Sequence, residues 1–547
     1  MTKATKQRLV GWVLALLTIF VVVSNEQEIG IARDETVYFA AGDRYAQWWA
    51  TFFDHGISAK NIEQTWGGPM GGGNNPEHPP LVKTLMGVSH RYLAQKFHIL
   101  DELTAYRLPT AIFAGVLVLL VYSMTLALWG FAEAVLAALC TLLLPRALFH
   151  EGLACFDAPI MTLWFATVYA YWRALDGRKW PWQVGVVFGL ALATKHNAFL
   201  LPFALGLHYL VVAWRAGTWK GLVTHRPKVL VSLAVLGPLT LFVLWPWLWT
   251  APIAHVGAWL KFHTTHVHYN FEYLGHNWNA PRFPWHVALV TTLFTVPIAT
   301  LAAALTGASL WIARWKRGES ADRERAPALL LGLSAAASMG PFFLGTTPIF
   351  GAEKHWMPAL PTLCIAAGVG AVWAARVAAD FLATRTSLGE VLARRIAIGV
   401  VGGTLVLAAT TETVAAQPYA LTWYNAAAGG APGGADLGMN RQFWGVAARG
   451  VLPMIGWLPP GRVYSHDASP AWGWYMRLGL LSRNYPDAGH EQAGVNASQY
   501  AIVVHEKHFN RHDYMIWKSY GTVQPIFVLR NDGVPIVSLY KRPPQRR

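Results

Sequence analysis

Residues 108–129 read LPTAIFAGVLVLLVYSMTLALW, and residues 131–149 follow as FAEAVLAALCTLLLPRALF. The first of these stretches holds no Asp, Glu, Lys, Arg or His. An apolar run of about 20 residues is the length that carries a helix across the hydrocarbon core of a bilayer. Reading outward, comparable runs lie at 9–24, 158–172, 183–195, 198–214, 229–248, 286–312, 328–344, 356–375 and 396–414. Together they predict eleven spans, the 183–195 segment being the shortest. Around Lys195-His196-Asn197 the pattern fits either a buried hairpin or a broken helix. Backbone groups in lipid must be satisfied within the segment, so such runs are read as helices.

The whole composition agrees. Of 547 residues, 54% are hydrophobic and only 13% are charged, whereas a soluble domain carries roughly 25% charged residues. Disordered, collagen-like and disulfide-rich classes are excluded, since the chain is apolar, lacks a glycine period and has three cysteines. The net charge of +15 would suggest nucleic acid in a soluble protein. Here the basic residues sit between apolar runs and describe topology instead. They crowd the N-terminus and segments 173–179, 215–228, 314–325 and 376–395, and are sparse at Arg146, Lys195, Lys261, Arg282 and Lys354. Basic short loops stay cytoplasmic. The expected orientation is N-terminus inside and C-terminus outside, in an inner (plasma) membrane. No clear small-x-small cleavage site follows the first run before Asn25, so it is read as an anchor and not as a removed signal peptide.

Three outer segments follow: 25–107, 249–285 and the tail from about 415. The expected domains are a membrane part, 1–415, and an extracytoplasmic part, 416–547. In the tail, Gly429–Gly434 reads as a loop. Pro525–Leu529 and Val534–Tyr540 around Asp532-Gly533 read as a hairpin, and Ala501–His505 reads as a strand. The predicted fold class is an all-α polytopic membrane protein with outer-loop interfacial helices and a small α/β C-terminal domain.

Chemistry-bearing residues gather in the outer segments. Asp34-Glu35 precede a helical pattern of Val37, Ala41, Tyr45, Trp48, Trp49, Phe52 and Phe53, suited to lying in the membrane surface. Neighbouring helical residues point about 100° apart, so one carboxylate can react while the other supports it. The plainer reading is that Asp34 caps the helix. Further on come His78-Pro79-Pro80-Leu81-x-Lys83, then Arg146 and Asp157 flanking a short junction. The plain alternatives there are a solvated Lys83 and an Arg146–Asp157 ion pair. Residues 261–269 hold His263, His266, His268 and Tyr269, a polar cavity wall in preference to a metal site. Lys354-His355 repeats the theme. Basic groups suit a phosphate, aromatics a sugar ring, apolar spans a lipid tail, and a carboxylate general-base work.

At these residues the chain resembles the family 39 glycosyltransferases of the GT-C superfamily, which include the protein O-mannosyltransferases and the bacterial aminoarabinose transferases that modify lipid A. The tail sequence Pro418-Tyr419-Ala420-Leu421-x-Trp423-Tyr424-Asn425, with Gly429-Gly430 and Phe443-Trp444-Gly445, is similar to outer domains of bacterial members. The resemblance implies a polyprenyl-phosphate sugar donor, inversion at the anomeric carbon, and a protein, lipid or glycan acceptor. No cofactor is expected, and a divalent metal is not indicated, because the leaving group is a monophosphate that cations of the protein can cover. It implies Asp34 as base, with Glu35 as its neighbour and Asp157 as the second acid. Lys83 and Arg146 would lie near the donor phosphate. Lys354 joins them by its place in the chain. The departures concern the acceptor: His78 stands where the aminoarabinose transferases carry lysine, and the chain has no room for the β-trefoil of the eukaryotic mannosyltransferases. The rival function is a transporter or flippase for lipid-linked sugars, whose signature would be broken helices at the midplane.

Overall fold

The computed structural model describes residues 2–55, 57–175, 181–224, 227–317 and 326–544. Parts of the basic segments, among them Arg178, Lys179, Arg226, Arg323 and Arg325, lie outside the described residues. Every apolar run of the sequence is helical. Among the described residues, seven helices are long and apolar enough to cross a membrane: Lys3–Glu26, Glu102–Leu128, His196–Arg215, Ile298–Arg317, Pro327–Leu344, Met357–Arg385 and Glu390–Ala416. The chain is thus a multi-pass membrane protein.

The remaining expected spans are shorter or broken, each for a local reason. Phe131–Leu142 and Pro145–Glu151 form a pair bent by 67°, because Pro145 has no N–H to continue the first helix and is preorganised to start the second. Pro297 likewise separates Val287–Thr295 from Ile298–Arg317. Trp182–Leu192 is about 16 Å long at 1.5 Å per residue, too short to span alone. It ends in a turn at Ala193-Thr194, and His196–Leu200 opens the next helix.

Small residues let these helices approach. A Cβ on Gly307 would lie 2.0 Å from the Ala366 carbonyl oxygen, and one on Gly370 would lie 2.0 Å from that of Ala303. Such small-residue crossings are the usual helix contact where lipid removes the hydrophobic drive.

The segment after the first span folds into helices Arg33–Ala50, Ala59–Trp66 and Leu81–Ser89, the last continuing in wider turns to Lys96. The aromatic face of Arg33–Ala50 corrects the surface-helix expectation. Ala41, Tyr45 and Trp48 are buried, with Tyr45 stacked on Trp66 at 4.0 Å between ring centroids. Val37 and Phe53 alone among the large apolar residues of that expected face are strongly exposed.

Strands β1 (Phe271–Tyr273) and β2 (His276–Trp278) form a short antiparallel pair, and the C-terminal segment carries a four-stranded sheet in the order β3-β4-β6-β5, where β3 is Val463–Tyr464, β4 Tyr500–Val504, β5 Phe527–Asn531 and β6 Val534–Lys541. β3 and β4 are parallel, and the other pairs are antiparallel. The β5–β6 hairpin turns at Asp532-Gly533, both with positive φ (46° and 78°), the geometry that favours this dipeptide. The glycine-rich stretch is a loop only in part, since Gly430–Asp436 is helical.

Alternation along β4 gives the sheet two apolar faces. Tyr500, Ile502 and Val504 join a core with Ile31, Tyr38, Phe39, Phe149 and Phe156 from the membrane part. Ala501 and Val503 pack on the opposite side with Ile516 and Tyr520. The C-terminal segment is thereby seated on the loop that carries Asp34-Glu35.

Candidate functional site

Asp34 and Glu35 occupy the first turn of Arg33–Ala50. Glu35 is fully buried, and every lone-pair direction has a partner. Arg107 donates to it through Nε (2.9 Å) and Nη2 (2.8 Å). The Ala32 and Ala154 amides donate at 2.7 Å each. Glu35 thus closes the helix start, the cap role that the plainer reading gave to Asp34. Arg107 also donates to the carbonyls of Glu26, Ile29 and Gly30, tying the first span to the second. Among the described residues Asp34 makes no comparable bond. Its side chain is 33% exposed, and its nearest cation, Arg33 Nε, is 3.9 Å away.

Asp157 starts the helix Asp157–Ala174 and accepts from Lys195 Nζ at 2.6 Å. The Arg146–Asp157 pair of the plainer reading does not form. Arg146 is buried and pairs with Glu353 (2.8 Å), donates to the Leu421 and Trp423 carbonyls (3.0 and 3.1 Å), and lies over the Tyr424 ring at 4.6 Å. Its guanidinium anchors the tail motif to the membrane part. Asn425 of the same motif donates to the Leu293 and Val296 carbonyls.

Lys83 is also closed. It is fully buried, and its three protons go to Asn75 O (2.7 Å), Asn75 Oδ1 (2.9 Å) and His78 O (2.8 Å). Burial pulls this ammonium down to about 7. Lys83 holds the Asn75–His78 turn with its three Nζ donors on protein oxygens, so it is not a solvated loop lysine.

Lys354 differs. It is 4% exposed, and among the described residues no carboxylate lies within ion-pair distance. Its Nζ sits over the rings of Trp444 (4.0 Å), Phe350 (4.9 Å) and Phe443 (5.3 Å). Gly351 makes this cage possible: at φ +69° a Cβ there would meet Phe443 at 2.6 Å and Lys354 Cε at 2.8 Å. Burial lowers the Lys354 pKa from its ordinary value, while the neighbouring carboxylates Asp157 and Asp34 pull it back up. Asp34, Asp157, Lys195 and Lys354 therefore share one electrostatic neighbourhood.

Imidazoles wall it. His78 packs against Phe156 (4.9 Å), Tyr38 (6.1 Å) and His263 (5.9 Å). His263 stacks on His196 at 3.9 Å. Burial holds His78 well below the usual imidazole range and His263 at about 4, so both are neutral at pH 7. The expected wall residues sit farther out. His266 stacks on Phe350 (5.3 Å), the ring that also faces Lys354, and Tyr269 meets Phe350 edge-on at 5.2 Å. His268 contacts Phe283 at 5.7 Å. Among the described residues no group of three or more His, Cys, Asp or Glu is placed to hold a metal ion.

The sequence reading thus found Asp34, Asp157, Lys354 and His78, which the structure gathers. It missed the partnering of Lys195, His196 and His263 with them. The break at Lys195-His196-Asn197 was the available signal, because a cation at a helix break beside a membrane needs an anion.

The comparisons with known proteins follow this geometry. Residues 77–245 match the family model described as dolichyl-phosphate-mannose-protein mannosyltransferase. The match contains His78, Lys83, Arg146, Asp157 and Lys195; Asp34 lies ahead of it. No curated protein matches the sequence. The fold is similar to that of ArnT from Cupriavidus metallidurans in its apo state, with a TM-score of 0.50 and 14% identity over 98% of both chains. It is also similar to the archaeal oligosaccharyltransferase AglB from Archaeoglobus fulgidus, solved with an inhibitory peptide and a dolichol-phosphate. That likeness has a TM-score of 0.50 and 11% identity over 94% of this chain and 71% of that one. At such identities the shared property is the fold alone.

Proposed function

With the fold of a membrane glycosyltransferase as premise, we propose that this chain moves a sugar from a polyprenyl-phosphate donor to an acceptor at the membrane face that holds the C-terminal segment. That face is extracytoplasmic on this reading, because the short loops at the opposite ends of the spans are rich in Lys and Arg. The observation that carries the proposal is the shared neighbourhood of an open carboxylate, Asp34, and a caged cation, Lys354, which no carboxylate among the described residues approaches to ion-pair distance.

The chemistry follows from that pairing. The acceptor oxygen or nitrogen attacks the anomeric carbon from the side opposite the phosphate, and its proton passes to Asp34. The bond between the anomeric carbon and the phosphate oxygen breaks, and the electron pair leaves with the polyprenyl phosphate. Lys354 stabilises the charge growing on that oxygen, and Lys195 adds to the positive field while Asp157 holds it in place. A cation in a dry site does this without reorganising. His78 and His263, neutral at pH 7, can offer one donor and one acceptor each to sugar hydroxyls. Lys83 and Arg146 take no direct part: their hydrogens hold the Asn75–His78 turn and the tail motif.

The test is release of polyprenyl phosphate by purified protein given undecaprenyl-phosphate sugars of several kinds, followed by mass spectrometry of envelope glycans, lipids and glycoproteins for the acceptor. Asp34→Asn should lower transfer by about 10²–10⁴-fold, the range of a general base, while the melting temperature stays that of the parent. Full activity in that variant removes Asp34 from the role.

A further inference from the structure

The helix that presents Asp34 is held by the C-terminal segment as well as by the membrane part. The Arg33 amide donates to the Trp444 carbonyl at 3.0 Å. Gly30, just ahead, lies so close to Val446 that a Cβ there would be 1.9 Å from its carbonyl oxygen. The Arg33 guanidinium then faces two carboxylates. Its Nη1 donates to Asp467 Oδ1 at 2.5 Å, and its Nε stands 3.9 Å from Asp34 Oδ1.

Asp467 lies between β3 and the helix Ser469–Arg477, and its other oxygen, Oδ2, is buried without a partner. Beside it, Glu506 is also buried, with Oε1 unpartnered. Glu506 acts electrostatically on Asp467 and Arg33, and Glu272 acts on Glu506. The imidazoles of His466, His505, His508 and His512 surround the group, and burial lowers each of them, His505 and His508 to about 4. They bring little positive charge at neutral pH, so Arg33 is the close cation for Asp467.

One guanidinium shared between two carboxylates goes mainly to the better-placed one. An opposite charge within about 4–6 Å favours the ionised, less basic form of a carboxylate. Whatever holds Arg33 on Asp467 therefore spares Asp34.

We propose that Asp467 is a positioning residue for the transfer reaction: by drawing Arg33 to itself, it leaves the Asp34 carboxylate open to take the acceptor's proton. The C-terminal segment thus contributes this ion pair to the reactive site beside the Phe443 and Trp444 rings that enclose Lys354. The inference rests on the function proposed for Asp34. The groups that face Asp34 are Arg33 from its own helix turn, Tyr38, Cys155, Lys354 and Asp467.

The experiment needs no substrate. A water-soluble carbodiimide labels carboxyl groups in their protonated form, and mass spectrometry of the full-length protein in detergent reads labelling at Asp34 against pH. Asp467→Asn releases Arg33 toward Asp34, and the labelling midpoint should fall by about half to one pH unit. Arg33→Gln removes the shared cation, and the midpoint should rise. The double variant should match Arg33→Gln alone. An unchanged midpoint in Asp467→Asn, or a downward shift that persists when Arg33 is absent, overturns the proposal. Should Asp467→Asn not fold, Arg33→Gln decides, since Arg33 is half exposed; a midpoint that does not rise there refutes the link. In turnover of undecaprenyl-phosphate sugars, the acid limb of the pH profile should move in the same directions. A wild type that turns over no such donor refutes the glycosyltransferase reading, while the labelling still judges the ion pair.

Discussion

The pairs Glu35–Arg107 and Arg146–Glu353 stand beside a second set of charges, Asp34, Lys354 and the Asp157–Lys195 pair, and the sets differ in what is left over. In the first set nearly every donor and acceptor is spent inside the protein. Glu35 accepts four bonds, and Arg146 binds one carboxylate, two carbonyls and a ring face. In the second set Asp34 has no short bond, and Lys354 has only aromatic faces. Both sets lie at the same membrane edge and contain the same residue types. Unspent valence, and not residue type, separates a charge that holds the fold from one that can meet a ligand.

Breaking the closed set should cost the most. Glu35→Gln or Arg107→Met leaves a buried charge without its partner, and such losses cost about 3–5 kcal/mol. The expected result is a strongly lowered melting temperature or loss of the protein from the membrane, with partial recovery in the double variant Glu35→Gln/Arg107→Met. A stable but inactive Glu35→Gln would move Glu35 into the open set. Next in size is Lys354→Met. It should leave the fold intact and weaken undecaprenyl phosphate binding about tenfold or more, the usual weight of a bond to a charged group, as measured by calorimetry. Lys83→Met should show the reverse. Removing three bonds that stabilise a buried turn lowers stability by about 1–3 kcal/mol, while the binding of undecaprenyl phosphate changes little. A large loss of binding without loss of stability would return Lys83 to the donor site.

The smallest effect concerns His263. In the unfolded chain its imidazole takes up a proton near pH 6.5, but in the folded protein only at about 4. Between those values the unfolded state holds more protons, so stability rises with pH through the window and falls on acidification. The melting temperature should drop from pH 7 to pH 4.5, and the drop should be smaller in His263→Phe. An equal drop in both proteins would show that the imidazole is not buried against its neighbours.

Much of this was legible in the chain, and the remainder was not for definite reasons. Apolar length marked the spans, but Pro145 and Pro297 broke two of them. The turn before His196 cut a third short. The Asp34-Glu35 pair was visible, and the 100° helical step said that only one could react. Which one depended on Arg107, placed 72 residues away along the chain by the second span. Lys83 and Arg146 were chosen by resemblance, and only their packed partners show them closed. The Lys195–Asp157 pair joins residues from different helices, so no local spacing announces it. Nothing in the sequence around Asp467 signals that it reaches Arg33, because sheet seating is a long-range property.

The most direct measurement is an experimental structure of the full-length protein with undecaprenyl phosphate. The phosphate should lie within about 3.5 Å of Lys354 Nζ, with the Asp34 carboxylate facing the space where the anomeric carbon would sit. A phosphate bound at Lys83 or Arg146, with Lys354 still enclosed by Trp444, Phe350 and Phe443, would contradict the division between spent and unspent charges.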